Sequence, residues 1–371
     1  MNECCPVDDD LVDEVCRRAT TTRGEVTEVV TAEVDRIAPL ATSDERDRLI
    51  DTAVARLDGL DRLQGFLDDP EVDEIMVNRG EEVWIERHGT LIPVGPISPT
   101  TLTAVMERIL APLGKRLDRT APIVDARLAD GSRVCAVVEP VAVDGPTLSI
   151  RRHRSTRIPL RSFATGATHA LLTQLVDAHC NILIAGATST GKTTLLTALL
   201  SLASPDERLV VLEDTTEIAL PHHHLVRLET RPATPDQPQA IVLADLVQTA
   251  LRLRPDRLIL GEFRGDEVRA VIEALNTGHR GCLATCHANS SVDALRRTET
   301  LVMRSAPTWP LEAIRRQITR SLDVVVFLRR SGDGTRLVDE VVEVIESDGP
   351  PHVRPLISDG DVVGELTRER R

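Results

Sequence analysis

Residues 186–193 read GATSTGKT, a full match to the phosphate-binding pattern G-x-x-x-x-G-K-[ST]. Gly186 and Gly191 let the backbone turn tightly. The N–H groups of Ala187, Thr188, Ser189 and Thr190, with a helix starting at Lys192, then make a cradle for phosphate oxygens. The Lys192 ammonium suits the β- and γ-phosphates of ATP, and the Thr193 hydroxyl suits Mg2+; Thr194 follows in the first helical turn. Lysine usage supports the match. Of 44 basic residues only Lys115 and Lys192 are lysine. A guanidinium is too wide to serve as the point charge inside such a loop.

Hydrolysis also needs carboxylates at the ends of neighbouring strands. Residues 257–265 read RLILGEFRG. The usual hydrophobic run would end in Asp, yet that position is Gly261, and Glu262 follows. Glu262 is therefore the expected carboxylate for Mg2+, reached through water. Residues 210–218 read VVLEDTTEI and set Glu213, Asp214 and Glu217 at another strand end. Any of the three can act as a general base beside a γ-phosphate, or cap the turn that follows.

Residues 276–290 read NTGHRGCLATCHANS and hold His279, Cys282, Cys286 and His287. Zinc would need these ligands to converge on one point. In a strand Cys282 and Cys286 share a face, whereas His287 faces the opposite way. No zinc site is expected; the two cysteines read as small core residues, and the histidines as sensors of the γ-phosphate. The run His222–His224 is likewise expected to hold no metal, because neighbours in a strand alternate sides.

These residues require an α/β scaffold. Apolar strand-like runs NILIAG, RLVVLED, RLILGE, CLATCHA and VVVFLRR alternate with helical segments. That pattern implies a mostly parallel sheet covered by helices. Four regions are expected: an acidic helical region over 1–58, a small α+β domain over 59–152, a linker over 153–164 and a P-loop ATPase domain over 165–371. In the first region Thr42 or Ser43 caps a helix. In the second, turns are expected at His88–Gly89, Asp130–Gly131 and Asp144–Gly145.

Composition excludes some classes. The net charge is −14, and the first 60 residues alone carry 15 acidic side chains against 7 arginines. Only six residues are aromatic and none is Tyr. General nucleic-acid binding needs a basic face and stacking platforms, and is not expected. No apolar run approaches the length of a membrane span, so the chain is expected neither to enter nor to cross a membrane by itself.

Taken together, GATSTGKTT, LEDTTEI, LILGEFRG and the histidine-rich box occur in the order found in secretion-superfamily ATPases of type II secretion, type IV pili and type IV secretion. The chain resembles that superfamily, and most of all its CpaF-like branch associated with Tad (Flp) pilus assembly. The stretches FLDDPEVDEIMVN, VDARLADGSRVCAVV, LSIRR and RLETRP extend the resemblance over roughly residues 60–330. It implies a RecA-like core joined to a smaller N-terminal domain, a ring of six copies, and a polytopic inner-membrane platform protein as partner. The location it implies is the cytoplasmic face of that membrane. By position it makes Glu217 the base for the attacking water and Glu262 the Mg2+ carboxylate. It also implies that Arg133 and Arg151, or Arg152, reach the phosphates, with Arg227 in phosphate contact or subunit coupling. A DNA-translocating conjugation ATPase and a non-catalytic nucleotide-gated scaffold are the alternatives on the same core.

Overall fold

A computed structural model describes residues 9–22, 24–152, 158–233, 238–331, 334–347 and 349–367. The chain divides into two compact units, Met1–Arg154 and Ser155–Arg371.

The first unit opens with three helices, α1 (Asp9–Ala19), α2 (Val26–Ile37) and α3 (Ser43–Leu57). Val12, Val15, Cys16 and Ala19 line one stripe of α1 and meet Val30, Val34, Leu49 and Ala53 in a small core of their own. Thr42 caps α3: its side chain accepts the Glu45 N–H, and Glu45 accepts the Thr42 N–H at 2.8 Å. Ser43 is the first helical residue. Residues 1–8 of the expected helical region lie outside the described residues.

A short helix, α4 (Gln64–Asp68), leads into strands β1 (Val72–Asn78), β2 (Glu82–Arg87) and β3 (Thr90–Pro96). Helix α5 (Pro99–Leu110) precedes β4 (Ile123–Arg127), β5 (Arg133–Val137) and β6 (Thr147–Arg151). The six strands form one antiparallel sheet in the order β3-β2-β1-β6-β5-β4. The β2–β3 turn uses His88 at φ 51° and Gly89 at φ 81°, the backbone that a two-residue hairpin requires. Helix α5 buries Leu102, Val105 and Met106 against Ile75, Val134, Leu148 and Ile150 on one face of this sheet.

The second unit contains α6 (Gly166–Asp177), β7 (Ile182–Gly186), α7 (Lys192–Leu200), β8 (Leu209–Glu213), β9 (Leu225–Glu229), α8 (Leu243–Ala250) and β10 (Arg257–Leu260). It continues through α9 (Glu267–Asn276), β11 (Leu283–His287), α10 (Ser291–Ser305), α11 (Leu311–Ser321) and β12 (Val324–Arg330). Strands β13 (Arg336–Ile345), β14 (His352–Ser358) and β15 (Asp361–Val362) complete it. The sheet order is β15-β14-β13-β12-β7-β11-β10-β8-β9.

From β12 to β9 every pairing is parallel. Alternate strand residues are buried on opposite faces. Ile182 and Ile184 pack with α6 and α7, whereas Leu183 and Ala185 pack on the face of α8 to α11. Burial on both faces is why these strands read as unbroken apolar runs. The expected α/β core is therefore present. The reading from sequence omitted β9 and the antiparallel margin β13–β15. Of the expected linker, residues 153–157 lie outside the described residues, while Leu160, Phe163 and Ala164 are buried in the second unit's core.

Candidate active site

The parallel strands end on one edge of the sheet, and the loops that follow them gather there. Strand β7 runs directly into the loop 187–191 and helix α7. A Cβ on Gly186 would sit 2.7 Å from Thr190 Oγ1 and 2.8 Å from the Leu328 carbonyl oxygen. Ser189 and Gly191 both take positive φ, 61° and 90°. Ala187, Thr188 and Ser189 are exposed at the loop surface, while Thr190 is buried and its Oγ1 donates to the Ala187 carbonyl at 2.9 Å. Gly191 precedes α7 and brings no capping side chain, so the first helical N–H groups are available to an anion. Thr193 and Thr194 sit half-buried in that first turn.

Lys192 is 7% exposed, and its Nζ curls back to donate to the Ala187 carbonyl at 2.8 Å. Burial lowers its pKa, and the Glu262 carboxylate works against that shift. The same Nζ lies 3.1 Å from His287 Nδ1. Strand β11 makes this meeting possible, because it lies beside β7 with His287 paired to Gly186. The other imidazole nitrogen, Nε2, is 3.4 Å from Glu262 Oε1.

An ammonium only donates, so Nδ1 must accept and Nε2 must carry the proton that faces Glu262. Burial and the Lys192 charge both lower the His287 pKa, which favours this neutral form. His287 therefore links the phosphate-loop lysine to the carboxylate after β10. Glu262 Oε2 in turn accepts from Arg264 Nη2 at 2.6 Å, and Arg264 Nη1 is 3.6 Å from Asp214 Oδ2.

The acidic turn after β8 is held from several sides. Glu213 is 4% exposed and accepts the N–H groups of Glu217 at 2.9 Å and Ile218 at 3.1 Å. Thr216 donates from its N–H and its Oγ1 to Glu229 at the end of β9, at 3.1 and 2.6 Å. Glu217 itself is exposed. Of the three carboxylates in this turn, one is buried beneath it and two stand at its surface.

Lys192, His287 and Glu262 thus meet at one sheet edge, and Thr193 follows Lys192 in the first turn of α7. Arg227 is exposed within the edge strand β9, two residues before Glu229. Arg133 and Arg151 belong to the first unit, where they stand directly opposite each other on β5 and β6. Arg127 pairs with Arg133 and Glu74 with Arg151, so three arginines and one carboxylate form a row across the sheet. Arg152, the other candidate in that stretch, donates to the carbonyl of Asp69 and lies 3.4 Å from that of Val72. Sequence reasoning passed over Arg127, Glu229 and Arg264. Glu229 stood inside the quoted RLETRP and Arg264 inside LILGEFRG, two residues from the assigned Arg227 and Glu262.

The histidines and cysteines of 276–290 have separate partners. Cys282 and Cys286 lie in one apolar cluster, and burial pushes both thiols up to about 12, so neither is a thiolate at neutral pH. His279 Nδ1 lies 3.2 Å from the Ala274 carbonyl oxygen, while His287 faces Lys192. In the other histidine run, His222 Nε2 is 3.0 Å from the Ser204 carbonyl oxygen and His224 Nε2 is 2.9 Å from Arg208.

The residues present fit a nucleoside triphosphate with Mg2+. A side chain on Gly186 would collide with Thr190 of the loop and with the backbone of Leu328, and the Lys192 ammonium is buried against the Ala187 carbonyl of the same loop. The profile of the family described as "Type II/IV secretion system protein" matches residues 57–349. This chain belongs to that family. It is 35% identical over 294 residues to the conjugal transfer protein TrbB of Rhizobium radiobacter, covering 76% of this chain and 87% of the relative. It is 30% identical over 319 residues to the type IV secretion system protein VirB11 of Brucella suis, covering 76% and 88%.

The fold is shared with the ATPase DotB of Legionella pneumophila, at a TM-score of 0.55 and 21% identity over 76% of this chain and 79% of that one. It is shared also with the pilus retraction motor PilT crystallised with ADP, at a TM-score of 0.55 and 17% identity over 75% and 80%. Among the described residues, no helix of this family member is long and apolar enough to cross a membrane.

Proposed function

We propose that this member of the secretion family hydrolyses ATP and converts the turnover into mechanical work. The observation that carries the reading is the meeting of Lys192, His287 and Glu262 at the ends of β7, β11 and β10. The loop 186–194 cradles the phosphates, and Lys192 neutralises the β- and γ-phosphate oxygens. Thr193, and Glu262 through water, would hold Mg2+, which would supply positive charge against the negative charge of the phosphates. Glu217 orients the attacking water and accepts its proton. His287, neutral between Lys192 and Glu262, is placed to register whether Lys192 is drawn toward a γ-phosphate. Arg133 and Arg151, or its neighbour Arg152, are the phosphate contacts assigned to the first unit, and Arg227 a contact at the edge strand.

In this reading residues 1–58 are a helical appendage, 59–152 the N-terminal domain, 153–164 the connection and 165–371 the ATPase domain. Six copies form a ring at the cytoplasmic face of the inner membrane, where they drive a polytopic platform protein of a pilus or secretion machine. The CpaF-like Tad branch is the narrower assignment, supported by the motif order. The test is hydrolysis by purified protein. Lys192→Ala is expected to lower the rate by on the order of 100-fold or more; a wild-type rate would overturn the reading.

A second reading, a conjugation motor acting on DNA, is favoured by the similarity to TrbB. It requires DNA-stimulated hydrolysis that weakens steeply with salt. Absence of that stimulation leaves the protein-export reading.

A further inference from the structure

The glycine at position 261 stands where the carboxylate motif ordinarily carries Asp, and the second unit supplies a physical reason. A Cβ built on Gly261 would meet Glu213 Cγ at 3.1 Å, Cβ at 3.6 Å and Oε1 at 3.7 Å. Strands β8 and β10 are parallel neighbours, with Leu212 opposite Leu260. The Gly261 N–H bonds the Leu212 carbonyl at 2.9 Å and extends that pairing by one residue. The Glu213 side chain therefore lies over Gly261, in space that a side chain on position 261 would need.

From there its carboxyl group reaches the turn that follows. Oε1 accepts the N–H of Glu217 at 2.9 Å and of Ile218 at 3.1 Å, and Oε2 lies 3.4 Å from the Ile218 N–H. Both ends of this hold are fixed. Ile218 is fully buried, and Glu213 is 4% exposed. Glu217 and Glu229, both acidic, are the charged side chains that act most strongly on Glu213. A carboxyl group buried among like charges is costly, and its two backbone hydrogen bonds are the compensation on view.

We infer that Glu213 is a positioning residue that occupies the space left by Gly261 and, through the backbone of 217–218, fixes where Glu217 stands. This rests on the reading of Glu217 as the base for water. Glu213 does not touch substrate in this assignment. It sets the origin of the side chain that does, and Gly261 is the condition for its presence. The missing Asp and the acidic turn are then one feature, with the carboxylate of one strand end traded for that of its neighbour.

Steady-state ATP hydrolysis by the full-length chain tests this. Glu213→Ala is expected to lower kcat by about 10-fold or more while KM for ATP stays within about 3-fold, because phosphate binding is separate from water orientation. Glu213→Gln keeps an oxygen that accepts both N–H groups, and should return kcat to within about 3-fold of wild type. Gly261→Ala pushes a methyl group against Glu213 Cγ and should lower kcat with KM unchanged. It also serves as the readout if Glu213→Ala does not fold.

Wild-type kcat in Glu213→Ala or in Gly261→Ala would overturn the inference. So would Glu213→Gln as impaired as Glu213→Ala, or a rise in KM that parallels the fall in kcat. Glu217→Gln is the control for the underlying reading. If it hydrolyses ATP at the wild-type rate, the base assignment fails; if it is inactive while Glu213→Ala is fully active, only the positioning role fails.

Discussion

Burial of Glu213 makes stability depend on pH in a calculable way. Burial raises this carboxyl from the ordinary 4.5 to about 7; the N–H groups of Glu217 and Ile218 oppose the rise, and the Glu217 and Glu229 charges add to it. Below pH 4.5 the group is protonated whether the chain is folded or not. Between 4.5 and about 7 the folded protein keeps a proton that the unfolded chain has lost, so stability falls as pH rises through this window and levels off above it. At about 1.4 kcal/mol per pH unit, the loss comes to about 3 kcal/mol. Glu213→Gln is neutral throughout and lacks this component. Its stability relative to wild type should therefore improve by about 3 kcal/mol between pH 4.5 and pH 8.

The chain offers its own probe for the measurement. It has no Tyr and two Trp. Trp84 lies on β2 of the first unit, whereas Trp309 packs against the core of the second. In a Trp84→Phe background, tryptophan fluorescence reports urea unfolding of the second unit alone. Groups remote from position 213 cancel between the two proteins, so the difference isolates Glu213 together with its coupling to Glu217 and Glu229. A difference constant to within about 0.5 kcal/mol from pH 4.5 to 8 would refute the reasoning, since 0.5 kcal/mol is far below the effect expected from the linkage.

Gly191 takes φ 90°, and a Cβ there would approach Arg336 Cδ at 3.0 Å and Phe163 Cε1 at 3.5 Å; Gly191→Val should weaken ATP binding by on the order of 10-fold or more and lower the melting temperature, both measurable by thermal shift with and without nucleotide. Arg257 is 1% exposed and pairs with Glu207 while donating to the Val176 carbonyl at 2.9 Å. Arg257→Ala should cost about 3–5 kcal/mol in urea unfolding, and Arg257→Leu with Glu207→Leu should recover most of it. Protonation of His287 removes the acceptor facing Lys192, so hydrolysis should fall as pH drops below the ordinary imidazole range, where burial and Lys192 hold its pKa; in His287→Gln that acid limb of the kcat profile should be missing. Cys282→Ala with Cys286→Ser should keep both fold and hydrolysis, because the two thiols pack in the apolar core and burial keeps them protonated, so Cys286 brings no charge to the nearby Lys192 and Glu262; loss of hydrolysis in a folded double variant would contradict that division.

The sequence by itself determined whatever is contiguous. The proposed phosphate loop is eight successive residues, so its pattern and the flanking strand and helix were legible at once. The α/β class followed from apolar runs buried on both faces, and the opposite directions of Cys286 and His287 followed from the two-residue period of a strand. Each of these depends on neighbours in the chain.

Tertiary structure decided what strand order brings together. Nothing local to β7 or β11 says that they are adjacent, yet their pairing is what sets His287 against Lys192, 95 residues away. The antiparallel margin escaped notice because β13 mixes Arg336, Asp339, Glu340 and Glu343 into its run and so breaks the apolar signal. The row Arg127–Arg133–Arg151 exists only in the register of three strands. Gly261 read from sequence as a departure from a motif; next to β8 it is the clearance that Glu213 requires. Side-chain period is fixed within a strand, but the partner across the sheet is chosen by the packing of the whole unit, and the residues proposed to move water and protons are positioned by those partners.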